Sequence, residues 1–106
     1  MSTPKLIKRN TSDLQQILKT AAGRRVLWRI LQACQIRQHG FVPADGYATA
    51  FHCGQRSIGL FLLEEIEQAN AAAYQQMRNE YQAELTAIQN QLEQESTDEE
   101  FNRFER

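Results

Sequence analysis

A chain of 106 residues with a formal net charge of −1 and 42% hydrophobic content has material for one small domain with a thin core. Its longest apolar run, Ile58 to Leu63, falls far short of the roughly 20 residues that cross a bilayer, and no secretory-type apolar stretch opens the sequence. Two cysteines, Cys34 and Cys53, make no disulfide framework and suit a reducing cytoplasm, so a soluble intracellular product is expected.

Residues 1–10, with Pro4, Lys5, Lys8 and Arg9, read as a loose basic arm. Thr11-Ser12-Asp13 offers a helix cap, with Gln15 placed for a capping box, and Leu14, Ile17 and Leu18 form the apolar face of a short first helix. Thr20 provides a fresh cap. A second helix follows through Leu27, Trp28, Ile30, Leu31 and Cys34 to about Gln38, with Gly40 as its left-handed terminator. Residues 40–52 read as a loop, since Pro43 and Asp45-Gly46 are turn signals and Phe41, Val42, Tyr47 and Phe51 anchor it. From Gln55 onward no proline interrupts the sequence. Apolar residues recur through Leu62, Leu63, Ile66, Ala69, Ala73, Met77, Tyr81, Leu85, Ile88 and Leu92, a stripe that drifts toward a coiled-coil seam.

These elements predict an all-α fold: a short helix and a second helix packed as a hairpin against one long C-terminal helix, joined by the loop at 40–52. The division is a basic arm at 1–10, a helical domain at 11–80, and a distal helix with an acidic tail at 81–106. Forty helical residues span on the order of 60 Å, more than the two preceding helices can cover, so Met77, Tyr81, Leu85, Ile88 and Leu92 are expected to pack on another chain. In the tail, Ser96 to Glu100 could cap a last short helix carrying Phe101 and Phe104, the competing expectation being a disordered end.

Charge is distributed unevenly. Residues 1–60 hold nine Lys/Arg and two Asp/Glu, and residues 61–106 hold three and eleven. Such halves either face each other in neighbouring copies or form two solvated faces of a monomer. The segments Gly23-Arg24-Arg25 and Gly54-Gln55-Arg56 place cations where a helix is already positive, which suggests that their guanidinium groups meet a phosphate or carboxylate. The expected charged interface comprises Arg24, Arg25, Arg29 and Arg56 facing Glu64, Glu65 and Glu67.

Catalytic chemistry is not legible. Cys34, His39, His52 and Cys53 flank the loop but lack metal-ligand spacing, and buried thiols and loop histidines are the simpler reading. No oxyanion loop accompanies a Cys–His pair, and Gly54 to Gly59 lacks the lysine and hydroxyl residue of a P-loop. A non-enzymatic protein without cofactor or metal is expected.

Asp13-Leu14, Leu18, Thr20, Gly23-Arg24-Arg25-Val26-Leu27-Trp28, Gly54-x-Arg56-x-x-Gly59-Leu60-x-Leu62-Leu63 and Met77 resemble a small domain of tailed bacteriophages. That domain is encoded in the structural gene modules of short-tailed phages, near capsid, portal and internal-protein genes. The resemblance covers residues 13 to 78. Where the family pattern carries two arginines after the second glycine, this chain has Gln55 and Arg56. The resemblance implies a virion component made in the host cytoplasm, a helical adaptor or internal core or ejection protein near the portal. Its expected partners are further copies of itself, a ring being one arrangement, and larger virion proteins. The alternatives are a DNA-associated packaging or ejection factor that binds phosphates through the basic half, and a helical regulator directed at the host.

Overall fold

The computed structural model describes residues 3–104 as four helices: α1 (Thr3–Leu18), α2 (Ala21–Ala33), α3 (Gly46–Ala69) and α4 (Ala73–Phe104). No strand occurs among these residues, and the all-α class holds. Expectations placed on Met1, Ser2, Glu105, Arg106 and the Phe104 side chain lie outside the described residues.

Each boundary has a local cause. Residues 3–10 are not a loose arm but the first turns of α1. Pro4 sits in the opening turn, where its missing N–H has no intrahelical acceptor to lose. Thr11 and Ser12, read as a cap, are therefore mid-helix. Thr20 does begin α2: the Gly23 N–H donates to its Oγ1 at 2.9 Å. The second helix stops at Ala33, earlier than Gln38, because Gln35 takes the left-handed conformation (φ 53°). Gly40 is not the terminator, since no glycine among the described residues has a positive φ. The loop lies earlier in the chain than expected, at 34–45 in place of 40–52, and Asp45 acts as a cap rather than as part of a turn. Its carboxylate accepts the Ala48 N–H at 2.9 Å, and α3 starts at Gly46 in place of Gln55.

The long C-terminal helix is two helices. At Asn70 the backbone is extended (φ −158°, ψ 107°) while its N–H still donates to Ile66 O at 2.8 Å. Its side-chain oxygen accepts the Ala72 N–H at 3.0 Å, so one residue closes α3 and supports the start of α4. Gln15 Nε2 of α1 donates to Ala69 O at 3.0 Å, fixing the end of α3 against the first helix. Beyond the break, α4 continues through Ser96 to Phe104 without the fresh start anticipated there.

The core lies where the four helices meet. Leu14 and Leu18 of α1, Leu27, Trp28 and Leu31 of α2, Ile36 of the turn after α2, Ile66 and Ala69 of α3, and Ala73 and Met77 of α4 are buried, with Leu31 and Ile66 fully enclosed. Every core residue precedes Arg78. From Tyr81 to Arg103 each residue of α4 is exposed, so the second half of this 32-residue helix, about 48 Å in total, projects from the body. The described chain spans 76 × 43 × 16 Å with a radius of gyration of 20.1 Å; about 13 Å is usual for a compact domain of this length.

Candidate functional site

Two of the four arginines singled out in the sequence are structural ties. Arg24 forms a forked pair with Glu80 of α4, Nε to Oε1 at 2.7 Å and Nη2 to Oε2 at 3.2 Å. Its Nη1 donates to Leu18 O at 2.8 Å. One guanidinium thus joins the C-terminal end of α1, the first turn of α2, and α4. The carboxylate it meets is in its own chain. Arg56 lies over the other end of α2, its Nε donating to Ile36 O at 3.3 Å, while Gln55 Nε2 donates to Ala33 O at 2.6 Å. Both arginine segments therefore serve carbonyls at or just past the C-terminal end of a preceding helix, where positive charge and spare donors are favourable.

Arg25 and Arg29 are different. Both are exposed, and neither has an ion-pair partner among the described residues. They stand on one wall of a groove of about 610 Å³ where the N-terminal end of α2 and the middle of α4 diverge. Ala22, Val26 and Trp28 continue the α2 wall; Met77, Tyr81, Leu85 and Ile88, with Glu80 and Glu84 at the rim, form the other. Trp28 makes the floor. Its ring lies 5.5 Å from both Tyr74 and Tyr81 at tilted angles of 41° and 39°, a favourable aromatic arrangement. Its indole N–H is buried without an acceptor among the described residues. Arg37 ties to Tyr74 on the other side of the Trp28 contact, donating to its hydroxyl at 3.0 Å with its guanidinium 5.7 Å from the ring centre.

The remaining expected interface residues separate. Met77 is only 2% exposed and belongs to the core, so it is not part of a free docking stripe. Tyr81, Leu85, Ile88 and Leu92 are 39%, 42%, 47% and 60% exposed along α4. Glu64 and Glu67 are exposed on α3, and Glu65 lines a shallow cleft against Asn10, Asp13 and Ile17 of α1. None of the three pairs with an arginine among the described residues. Sequence reasoning passed over Glu80, the partner of Arg24; its place among α4 polar residues gave no sign that it lies at the α2 crossing.

The residues weighed as metal ligands do not converge. His52 Nδ1 is 3.4 Å from Gln55 Oε1, and Cys34 packs beneath Gly59. No three His, Cys, Asp or Glu side chains among the described residues are grouped to hold an ion. No described helix is long and apolar enough to cross a membrane.

With this geometry in view, the family described as Bbp19-like phage protein matches residues 14–79. The chain belongs to the Bbp19-like phage protein family. The match agrees with the phage-domain resemblance read over residues 13 to 78. It also coincides with the body of the fold: all ten core residues, Leu14 through Met77, fall inside it. The arginine–carbonyl ties at Leu18 and Ile36 are inside as well. The family segment ends at Asn79, just before the projecting part of α4. No curated protein and no solved structure matches the chain.

Proposed function

We propose that the protein is a non-enzymatic structural component of a bacteriophage particle. In this reading it is a small helical adaptor or internal core protein near the portal, present in several copies and held by helix packing and complementary charge. The observation that carries the reading is the groove between α2 and α4. It is an apolar surface with Arg25 and Arg29, unpaired among the described residues, on one wall, continuous with a projecting helix that is acidic. An assembly component uses a helix held clear of its core to reach its neighbours.

Family membership supports the phage setting. Mass spectrometry of purified particles tests the placement: the protein should be present at a fixed ratio to the portal and survive washing in high salt. Absence from particles while abundant in the infected cell would reject it in favour of a host-directed role. A second reading, a DNA-associated packaging or ejection factor, draws on the exposed Lys5, Lys8 and Arg9 of α1 together with Arg25 and Arg29. It requires DNA binding by the free protein that weakens steeply as salt rises.

A further inference from the structure

We infer that the exposed half of α4 is a self-pairing surface, on which a second copy of the chain docks its own α4 in antiparallel orientation. The inference deepens the assembly reading above by naming the partner and its register.

At about 100° per residue, Tyr81, Leu85, Ile88 and Leu92 lie within about 60° of one another on the exposed face of α4, a stripe as narrow as a coiled-coil seam. With Arg78 before them and Glu95 after them, the steps are 3, 4, 3, 4, 3. That series reads the same in both directions, with its centre between Thr86 and Ala87. A two-fold contact must present one patch to itself in reverse, and this stripe meets that condition. Tyr81 falls opposite Leu92 of the second copy, and Leu85 opposite its Ile88.

Charge selects the orientation. The next layer outward brings Arg78 of one copy to Glu95 of the other, at both ends of the contact. A parallel pair would instead set Arg78 against Arg78 and Glu95 against Glu95, a repulsive layer at each end. Arg78 is half-buried and has no ion-pair partner among the described residues, and Glu95 is exposed. Antiparallel pairing also sends the acidic end of each α4, through Asp98, Glu99 and Glu100, toward the α2 wall bearing Arg25 and Arg29 on the other body. The two bodies end up at opposite ends of the pair.

Stability gives a third reason. Beyond Tyr81, which leans on Trp28, every residue of α4 through Arg103 is exposed, and helices of this length are marginal alone in water. A second α4 supplies the missing apolar face.

The test uses the purified full-length chain, in which pairing is read independently of any placement in a particle. Sedimentation from about 1 µM to about 500 µM should show a monomer–dimer equilibrium. Leu85→Glu should weaken it by at least about 100-fold, since it sets two carboxylates into the seam, with helix content in circular dichroism unchanged. Glu95→Arg alone and Arg78→Glu alone should each weaken it about tenfold, and an equimolar mixture of the two should form a heterodimer at wild-type strength. For orientation, nitroxides at Asn102→Cys, with Cys34→Ala and Cys53→Ala, should lie about 47 Å apart across the pair; parallel pairing would bring them to about 10 Å. A wild-type chain that stays monomeric throughout, a dimer indifferent to Leu85→Glu, or the short label distance would each overturn the inference. The particle role is read separately by mass spectrometry, so either can fail without the other.

Discussion

Arg24 sits in the first turn of α2, where the helix end is already positive and a cation is unfavourable by a few tenths of a kcal/mol to about 1 kcal/mol. Its contacts outweigh that penalty, because the same side chain pairs twice with Glu80 and donates to Leu18 O. Arg24→Ala should destabilise the fold by about 1–3 kcal/mol. A double-mutant cycle with Glu80→Ala should show a coupling of about 1 kcal/mol, modest because Glu80 is 36% exposed; urea denaturation of the four proteins measures it. Gln35 is the opposite case, a residue with a Cβ held at φ 53°. Gln35→Gly removes that strain and should stabilise by about 1 kcal/mol, raising the midpoint of thermal unfolding by about 4–8 °C.

The two interior glycines of α3 separate helix propensity from packing. A Cβ at Gly54 meets open space, so Gly54→Ala should stabilise by about 0.5–1 kcal/mol. A Cβ at Gly59 would press on Cys34 Cβ and Ile36 Cγ2, atoms next to the backbone of the turn after α2. There the same gain in propensity is outweighed by overpacking, and Gly59→Ala should destabilise by about 1–3 kcal/mol; chemical denaturation of both variants gives the opposite signs. How much of the fold was legible follows the same division. Apolar spacing located the core-facing residues of α2 and of the C-terminal region, and Thr20 announced its helix, since periodicity and capping are local signals. The break at Asn70 was not legible: an asparagine before three alanines stops a helix only where a neighbour, here Gln15 of α1, holds the exposed carbonyl. Asp45 misled for a related reason, because Asp-Gly serves a turn and a cap equally well. At the site, the stripe on α4 was visible as a pattern, while the carbonyl-holding roles of Arg24 and Arg56 depend on contacts between distant residues that spacing does not encode.

Across the molecule, burial stops at Met77 and the helix does not. Two regimes of backbone protection should follow. Amide exchange should be slow from Leu62 to Ala69 and from Met77 to Tyr81, where opening requires loss of the core, and fast from Leu92 to Arg103, where fraying suffices. Raising the protein concentration should slow exchange between Tyr81 and Leu92 if the α4 seam is occupied by a second copy, a comparison made by mass spectrometry at two concentrations. High salt should accelerate it again, because the Arg78–Glu95 layers at its ends are screened.

The continuity of α4 from core to tip has a mechanical consequence. The helix is clamped from Ala73 to Tyr81, by the nearly inaccessible Ala73 and Met77, the Glu80 pair with Arg24 and the Tyr81 contact with Trp28, and it is exposed beyond that through Arg103, so it behaves as a lever with a short anchored arm. A tilt of about 10° about Ala73 displaces residue 104 by about 8 Å, given a rise of about 1.5 Å per residue. Angles in any assembly are then fixed less by what the tip touches than by how these anchored turns seat in the core and against Trp28 and Arg24. A substitution deep in the body, far from every contact, would re-aim the whole rod.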